Sequence, residues 1–302
     1  MIEQPKSDST GLLWGFSTLG CPELSLPQIC QLLREFNLPG LELRCVDGRM
    51  DLPRWAAEKG WTRRRATMLL AKHQIQFCVA GSSFKLVGND EKSRTELLDF
   101  CWWAESWGVR YVRAFGGGTW GQPLSEADYS QASETVEWWQ WEKRRRHWRL
   151  ELLLETHDAF SASVPCRHLL TRLREPIGLI WDSHHTWRLG GETPRETWGQ
   201  LFPWIKHVHI KDSIAKPSTR HPYTYVLPGD GEVPLAEVVE VLHVHQFTGM
   251  VSLEWERQWH PYLPPLREAL ARLRTRAWFT ASKKTPLASP CSPQLANPLP
   301  VS

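Results

Sequence analysis

Between residues 152 and 212 three apolar runs each end in an acid or an imidazole, at equal spacing. They read LLLETHD, GLIWDSHHTW and WIKHVHIKDS, and they set Glu155, Asp182 and His209 27 residues apart both times. Short runs of large apolar residues that stop at a polar one suit buried parallel strands delivering side chains to their C-terminal edge. A strand, a helix and two loops need about 30 residues, so a spacing of 27 fits a βα repeat with brief connections. A fourth run, GMVSLEWE, brings Glu254 45 residues after His209. One strand ending in an acid is commonplace, whereas four in series call for a common cause.

The rest of the chain continues the alternation. Strands are predicted over 11–20, 38–47, 75–84, 108–118, 149–155, 177–182, 206–211 and 249–255. Helices are predicted over 25–36, most of 52–72, 91–107, 124–147, 162–174, 193–205, 235–247 and 263–278. Pro27 after Ser25 and Pro194 after Thr193 mark two of the helix starts, because proline loses nothing in a first helical turn. Eight such units over roughly 270 residues predict a single (β/α)8 TIM barrel, an α/β fold whose site gathers at the C-terminal ends of the strands. A doubly wound open sheet is the alternative, but it gives no reason for acids at the ends of strands two, five, six and eight. The barrel is assigned to 12–280. Residues 281–302, with five prolines and no predicted element, read as a disordered tail.

Charge and cysteine usage narrow the class of partner. A formal net charge of +3 is too small by itself to imply a nucleic-acid partner. The basic and aromatic stretch EKRRRHWRL, residues 142–150, reads as a helix C-terminus, where cations are favoured. The start of the chain lacks the pattern of a signal peptide, and no apolar run reaches membrane-spanning length. The seven cysteines are scattered without a CxxC motif, which suits free thiols in a reducing cytoplasm. The expected partner is a small molecule, with neither nucleic acid nor membrane, and a homo-oligomer is compatible with the sequence.

Glu155, Asp182, His209 and Glu254 offer three carboxylates and one imidazole. Such an oxygen-rich set suits Mn, Mg or Co, and also Zn, whereas a structural zinc site would draw on thiolates. Gathered carboxylates repel one another unless a cation lies among them, so one divalent metal ion is the simplest account. Alternation along the strands puts Glu42 and Arg44 on one face, and sets His207, His209 and Lys211 on another. Charges on a core strand need a wet cavity, which predicts that Glu42 lies near the mouth of the site. Arg113 falls mid-strand, where it would point into a polar pocket. His157 and His185 lie just beyond strands five and six. The glycines at 116–118 lack the spacing of a nucleotide fingerprint.

With these residues in view, the chain resembles the xylose-isomerase-like TIM barrels, the sugar-phosphate isomerase/epimerase superfamily that includes inosose dehydratase and hydroxypyruvate isomerase. LLLETHD, WDSHHTW, HVHIKD and SLEWE carry the resemblance, together with STLGCPELSL, GLELR and LPGDGEVPL, over residues 12–278. The resemblance implies that Glu155, Asp182, His209 and Glu254 bind one divalent metal, and that His185 binds a substrate oxygen. It implies an isomerase or epimerase acting on a sugar or keto-polyol through an enediolate, with Glu155 and Glu254 as general acid and base. Arg113, Lys211, Glu42, His207 and His157 join His185 as candidate substrate contacts. Expelling a β-hydroxyl would instead make the enzyme an inosose-type dehydratase, with His157 or His185 as the acid. A barrel that keeps its ligands as a binding or scaffold protein is the non-enzymatic alternative. The superfamily's three-zinc DNA-repair endonuclease needs histidines at the ends of strands three and four, where this chain has GSSF and RAFGGG. One departure stands out: RRRHWRLELLL precedes strand five where family members usually turn through a glycine.

Overall fold

A computed structural model of the chain describes residues 11–282. Eight parallel strands close into a barrel: β1 (Leu13–Ser17), β2 (Gly40–Leu43), β3 (Gln76–Lys85), β4 (Tyr111–Phe115), β5 (Glu151–Glu155), β6 (Gly178–Asp182), β7 (Ile205–Ile210) and β8 (Met250–Leu253). Each pairs with its sequence neighbours, and β8 closes on β1 with Leu13 opposite Met250. The helices are α1 (Leu26–Glu35), α2 (Leu52–Glu58), α3 (Arg63–Lys72), α4 (Glu91–Ser106), α5 (Glu126–Arg145), α6 (Ser163–Arg172), α7 (Ser183–Arg188), α8 (Pro194–Leu201), α9 (Leu235–Val244), α10 (Leu266–Arg274) and α11 (Ala277–Ser282). The predicted closed barrel is therefore observed, and the open sheet is not.

Strand alternation decides what enters the barrel. Along β5 Leu152 and Leu154 belong to the large core under the helices, while Leu153 turns inward. There it meets Val79, Tyr111 and Ile180 in a separate apolar plug. Arg113, Glu155 and Asp182 each lie two residues beyond a plug residue on the same face of its strand, so the barrel interior is apolar first and charged nearer the mouth. Filling the interior with side chains makes it a packed core instead of a pore.

Several boundaries differ from the sequence reading. The predicted helix over 52–72 is two helices, because Gly60 at φ 65° and Thr62, whose hydroxyl caps α3, interrupt it. The last predicted helix breaks after Arg274, and α11 folds back so that Ser282 Oγ accepts a hydrogen bond from Trp14 Nε1 at 2.8 Å. Ala281 and Ser282 thus belong to a helix, and the remainder of the predicted tail lies outside the described residues. A hairpin of Asp212–Ile214 with Thr224–Val226 and the short helix α7 were not foreseen. At the end of α5 the expected glycine's place is taken by His147, at φ 55°. The Trp148 amide reaches Lys143 O at 3.1 Å and the His147 amide reaches Arg144 O at 3.1 Å, which makes a Schellman stop with histidine in the left-handed position.

Candidate metal centre

The four predicted ligands converge. Glu155 ends β5, Asp182 ends β6, His209 lies on β7 and Glu254 follows β8. One ligand atom from each lies within 4.8 Å of the others, and all four residues are buried. Local structure fixes each one. The Glu254 amide donates to Ile210 O at 3.0 Å, tying the end of β8 to β7. Asp182 receives the His185 amide on Oδ1 at 2.9 Å, so it caps α7 with one oxygen and turns the other toward the site. Its own amide donates to Thr156 Oγ1 at 2.8 Å.

His209 is oriented from behind. Its Nε2 and that of His207 each lie 2.8 Å from Glu42 Oε2. A carboxylate accepts both N–H groups, which leaves Nδ1 of His209 facing Glu155 Oε1 and Glu254 Oε2 at 3.5 Å each and Asp182 Oδ2 at 3.9 Å. Glu42, expected near the mouth, and His207, expected deeper on β7, were both candidate substrate contacts; both are fully buried and pair with each other behind His209 instead. The reason is depth. Alternation assigns a face, but His207 lies two residues, roughly 6–7 Å, deeper than His209 along the strand.

Two cations brace the carboxylates. Arg113 Nη1 lies 3.0 Å from Glu155 Oε2 and 3.6 Å from Glu254 Oε1. Lys211 Nζ lies 2.8 Å from Asp182 Oδ2, 2.6 Å from Glu254 Oε2 and 2.6 Å from Glu256 Oε1. Both cations are buried, so these side chains, predicted to meet substrate, are engaged by the protein's own acids. His185 Nδ1 lies 3.0 Å from Thr156 O. A carbonyl only accepts, so Nδ1 carries the hydrogen. Burial and then Lys211 hold the ring's pKa well below the imidazole value, which keeps it neutral with Nε2 as an acceptor. His157 is the most open of the set, with 36% side-chain exposure, and its Nδ1 lies 2.8 Å from Asp158 Oδ1. Burial works against its charge, but Asp158 and Glu155 raise its pKa above the ordinary value.

The environments of the two glutamates differ. Burial lifts the Glu254 carboxyl to about 7 despite His209 and Lys211. At Glu155 burial is outweighed by Arg113 and His209, which hold it well below the usual carboxylate range. Two carboxyl groups pushed apart in this way suit paired acid and base roles. A divalent cation between them would favour the ionised form of both.

The residues fit such a cation. Around the tetrad five acids, Glu42, Glu155, Asp182, Glu254 and Glu256, face three lysine and arginine cations, Arg44, Arg113 and Lys211, so the balance calls for further positive charge from a proton on an acid or imidazole or from an ion. Glu155 Oε2 and Asp182 Oδ2 stand at ion-pair distance from Arg113 and Lys211 but off the hydrogen-bond axis. His209 Nδ1 has no hydrogen-bond partner. Its surroundings demand positive charge at that nitrogen. A proton 3.5 Å from its acceptors supplies it poorly, whereas a divalent ion bound to all four ligands supplies it well.

Sequence reasoning passed over two contributors, Glu256 and Tyr225. Glu256 shares the face of Glu254 two positions on, and the same alternation pointed to it. Tyr225, whose hydroxyl donates to Glu256 Oε1 at 2.9 Å, sits on the unforeseen hairpin. Asp212 takes four backbone amides, from Ser213, Gly229, Gly231 and Val233, at 2.8–3.1 Å, and so pins the LPGDGEVPL loop. Gly231 is required there, because a Cβ would stand 2.1 Å from Asp212 Oδ1.

No helix among the described residues is long and apolar enough to cross a membrane. No curated protein matches the chain by sequence. Solved structures share its fold. One described as the probable 3-DHS dehydratase AsbF of Bacillus anthracis is 19% identical, with TM-score 0.72, over 88% of this chain and 100% of that one. The IOLI protein with a bound zinc atom is 18% identical, with TM-score 0.70, over 87% and 96%. A D-tagatose 3-epimerase-like protein is 15% identical, with TM-score 0.66, over 89% and 97%. The sequence family described as xylose isomerase-like TIM barrel matches residues 30–276, and the chain belongs to that family.

Proposed function

We propose that the protein is a divalent-metal-dependent isomerase or epimerase of a sugar or related keto-polyol. The observation that carries this reading is the tetrad of Glu155, Asp182, His209 and Glu254 within 4.8 Å, with His209 Nδ1 turned toward the three carboxylates. A divalent cation held there would polarise a substrate carbonyl and the neighbouring hydroxyl and offset the charge of an enediolate. Glu155, kept ionised by Arg113, takes the proton alpha to the carbonyl. Glu254, which holds a proton more readily than Glu155 even where a cation lowers both, must enter the step protonated and delivers that proton to the opposite face for epimerisation; for isomerisation the proton taken by Glu155 returns to the adjacent carbon. Arg113 spans the two glutamates and fixes their separation. His185 Nε2 accepts a hydrogen bond from a substrate hydroxyl.

A second reading rests on His157. It is the most open of the site's imidazoles, and Asp158 favours its cationic form. An acid so placed suits loss of a β-hydroxyl, the step of a dehydratase. The likeness to a dehydratase structure supports it at the level of fold alone.

Metal analysis comes first. Protein purified without chelator, or titrated with manganese, cobalt or zinc, binds one ion per chain under this reading, and failure to bind any of them overturns it. Metal-loaded protein is then incubated with ketoses and inososes in deuterated water and followed by NMR. Deuterium alpha to the carbonyl without loss of water supports the isomerase or epimerase. An unsaturated or deoxy product supports the dehydratase. No exchange with any polyol, in protein holding its metal, favours a binding protein.

A further inference from the structure

Lys211 lies where the metal reading leaves no room for it. Its ammonium is ion-paired with Asp182 Oδ2 at 2.8 Å and hydrogen-bonded to Glu254 Oε2 at 2.6 Å, and the same two oxygens face His209 Nδ1 at 3.9 and 3.5 Å. A divalent ion on those oxygens would be the ammonium's near neighbour, and like charges so placed repel strongly. At 1% side-chain exposure Lys211 cannot simply move into water. It needs another partner within the protein.

Glu256 is that partner. Its Oε1 already holds Lys211 at 2.6 Å and accepts the Tyr225 hydroxyl at 2.9 Å, while its Oε2 lies 3.8 Å from His260 Nε2. None of these supports belongs to the tetrad. Tyr225 is itself held, because its amide donates to the Tyr262 hydroxyl at 3.1 Å. The Tyr225 ring centroid lies 5.7 Å from Lys211 Nζ, so its face adds a second attraction for a cation.

Building on the metal reading, we propose that Glu256 and Tyr225 form a parking post for Lys211, so that a metal ion enters the tetrad by displacing the ammonium from Asp182 and Glu254 onto Glu256. Lys211 then acts as a built-in competitor that balances the acids, and Glu256 sets how readily it yields. Glu256 and Tyr225 are positioning residues in this arrangement and act through Lys211.

Manganese alone is the probe, titrated calorimetrically into wild type, Glu256→Gln, Lys211→Met and the double variant, each confirmed folded by thermal melting in chelator. Glu256→Gln weakens binding by about tenfold, in the range of losses seen around metal ligands. Lys211→Met tightens it, and in that background Glu256→Gln has no further effect. A Glu256 effect that persists undiminished without Lys211 would mean plain attraction through space and overturns the proposal, as does a Glu256→Gln variant that binds like wild type. If Lys211→Met does not fold, Tyr225→Phe replaces it. That change keeps every charge, so it weakens manganese severalfold only if the post must be held in place, and unchanged binding overturns the proposal. Absence of manganese binding by wild type overturns this proposal and the metal reading together, whereas normal wild-type binding with a failed cycle overturns this proposal alone.

Discussion

Replacing Glu42 with glutamine tests how the metal centre is built. Glu42 is fully buried, and its Oε2 accepts from both His207 and His209 at 2.8 Å. The carboxylate keeps the His209 hydrogen on Nε2 and so leaves Nδ1 open to the metal ion of the proposed function. Glutamine keeps the shape and one acceptor but loses the charge that favours this tautomer. Carboxylates behind ligating histidines typically contribute 10- to 100-fold in metal affinity, about 1.4–2.8 kcal/mol. Glu42→Gln should therefore bind manganese 10- to 100-fold more weakly while its thermal midpoint in chelator changes little. Glu42→Ala differs in kind, because it strands two buried imidazole N–H groups. At about 1–3 kcal/mol for each unsatisfied donor, it should cost about 2–6 kcal/mol of stability in chelator. Calorimetric titration and urea melts separate the two effects. A Glu42→Gln variant with wild-type manganese affinity would refute the assignment of Glu42 as the group that orients His209.

Other outcomes follow from the fold and the mouth of the site. Leu153→Ala empties part of the plug shared with Val79, Tyr111 and Ile180 and should cost about 2–5 kcal/mol in a urea melt. His147→Gly relieves a left-handed residue at φ 55°. That relief is worth about 1–2 kcal/mol, less the greater backbone entropy glycine loses on folding, so a net gain of about 0.5–1 kcal/mol is expected in the same melt. Burial pushes the Cys30 thiol up to about 12 and does the same at Cys45, so neither should react with dithionitrobenzoate at pH 8 until the chain unfolds. His157→Asn should lower turnover by about 10²–10⁴-fold if His157 is the acid of a dehydration, and only severalfold if the enzyme shuttles a proton between Glu155 and Glu254.

The tetrad was legible because strand alternation and strand ends are both written in the sequence. LLLE, LIWD, VHI and SLE each declare a buried run and the side chain at its mouth. Depth was legible along one strand, where order sets His207 below His209, but not between strands. Glu42 and His207 have the right parity for the interior, but barrel stagger decides which residues share a layer, and parity carries no information on stagger. Nor did WDSHHTWR read as a strand followed at once by a helix, because Asp182 is both the last residue of β6 and the cap of α7. The hairpin that carries Tyr225 pairs only three residues a side, too few to show a period.

What distinguishes one chemistry from another in this barrel therefore lies above the tetrad. The ligands are locked from below by Glu42 and His207 and from the sides by Thr156 and Arg113, all of them buried, and a binding site so fixed serves proton transfer or elimination equally well. Choice of reaction falls to groups that can meet a departing or incoming hydroxyl. Among the site residues His157 has the exposure for this and His185 the free acceptor nitrogen. Lys211 gains comparable freedom only when Asp182 and Glu254 no longer hold it. Under the proposed displacement, metal loading and substrate recognition would be linked through one side chain, because an ion completing the tetrad would also release the cation above it.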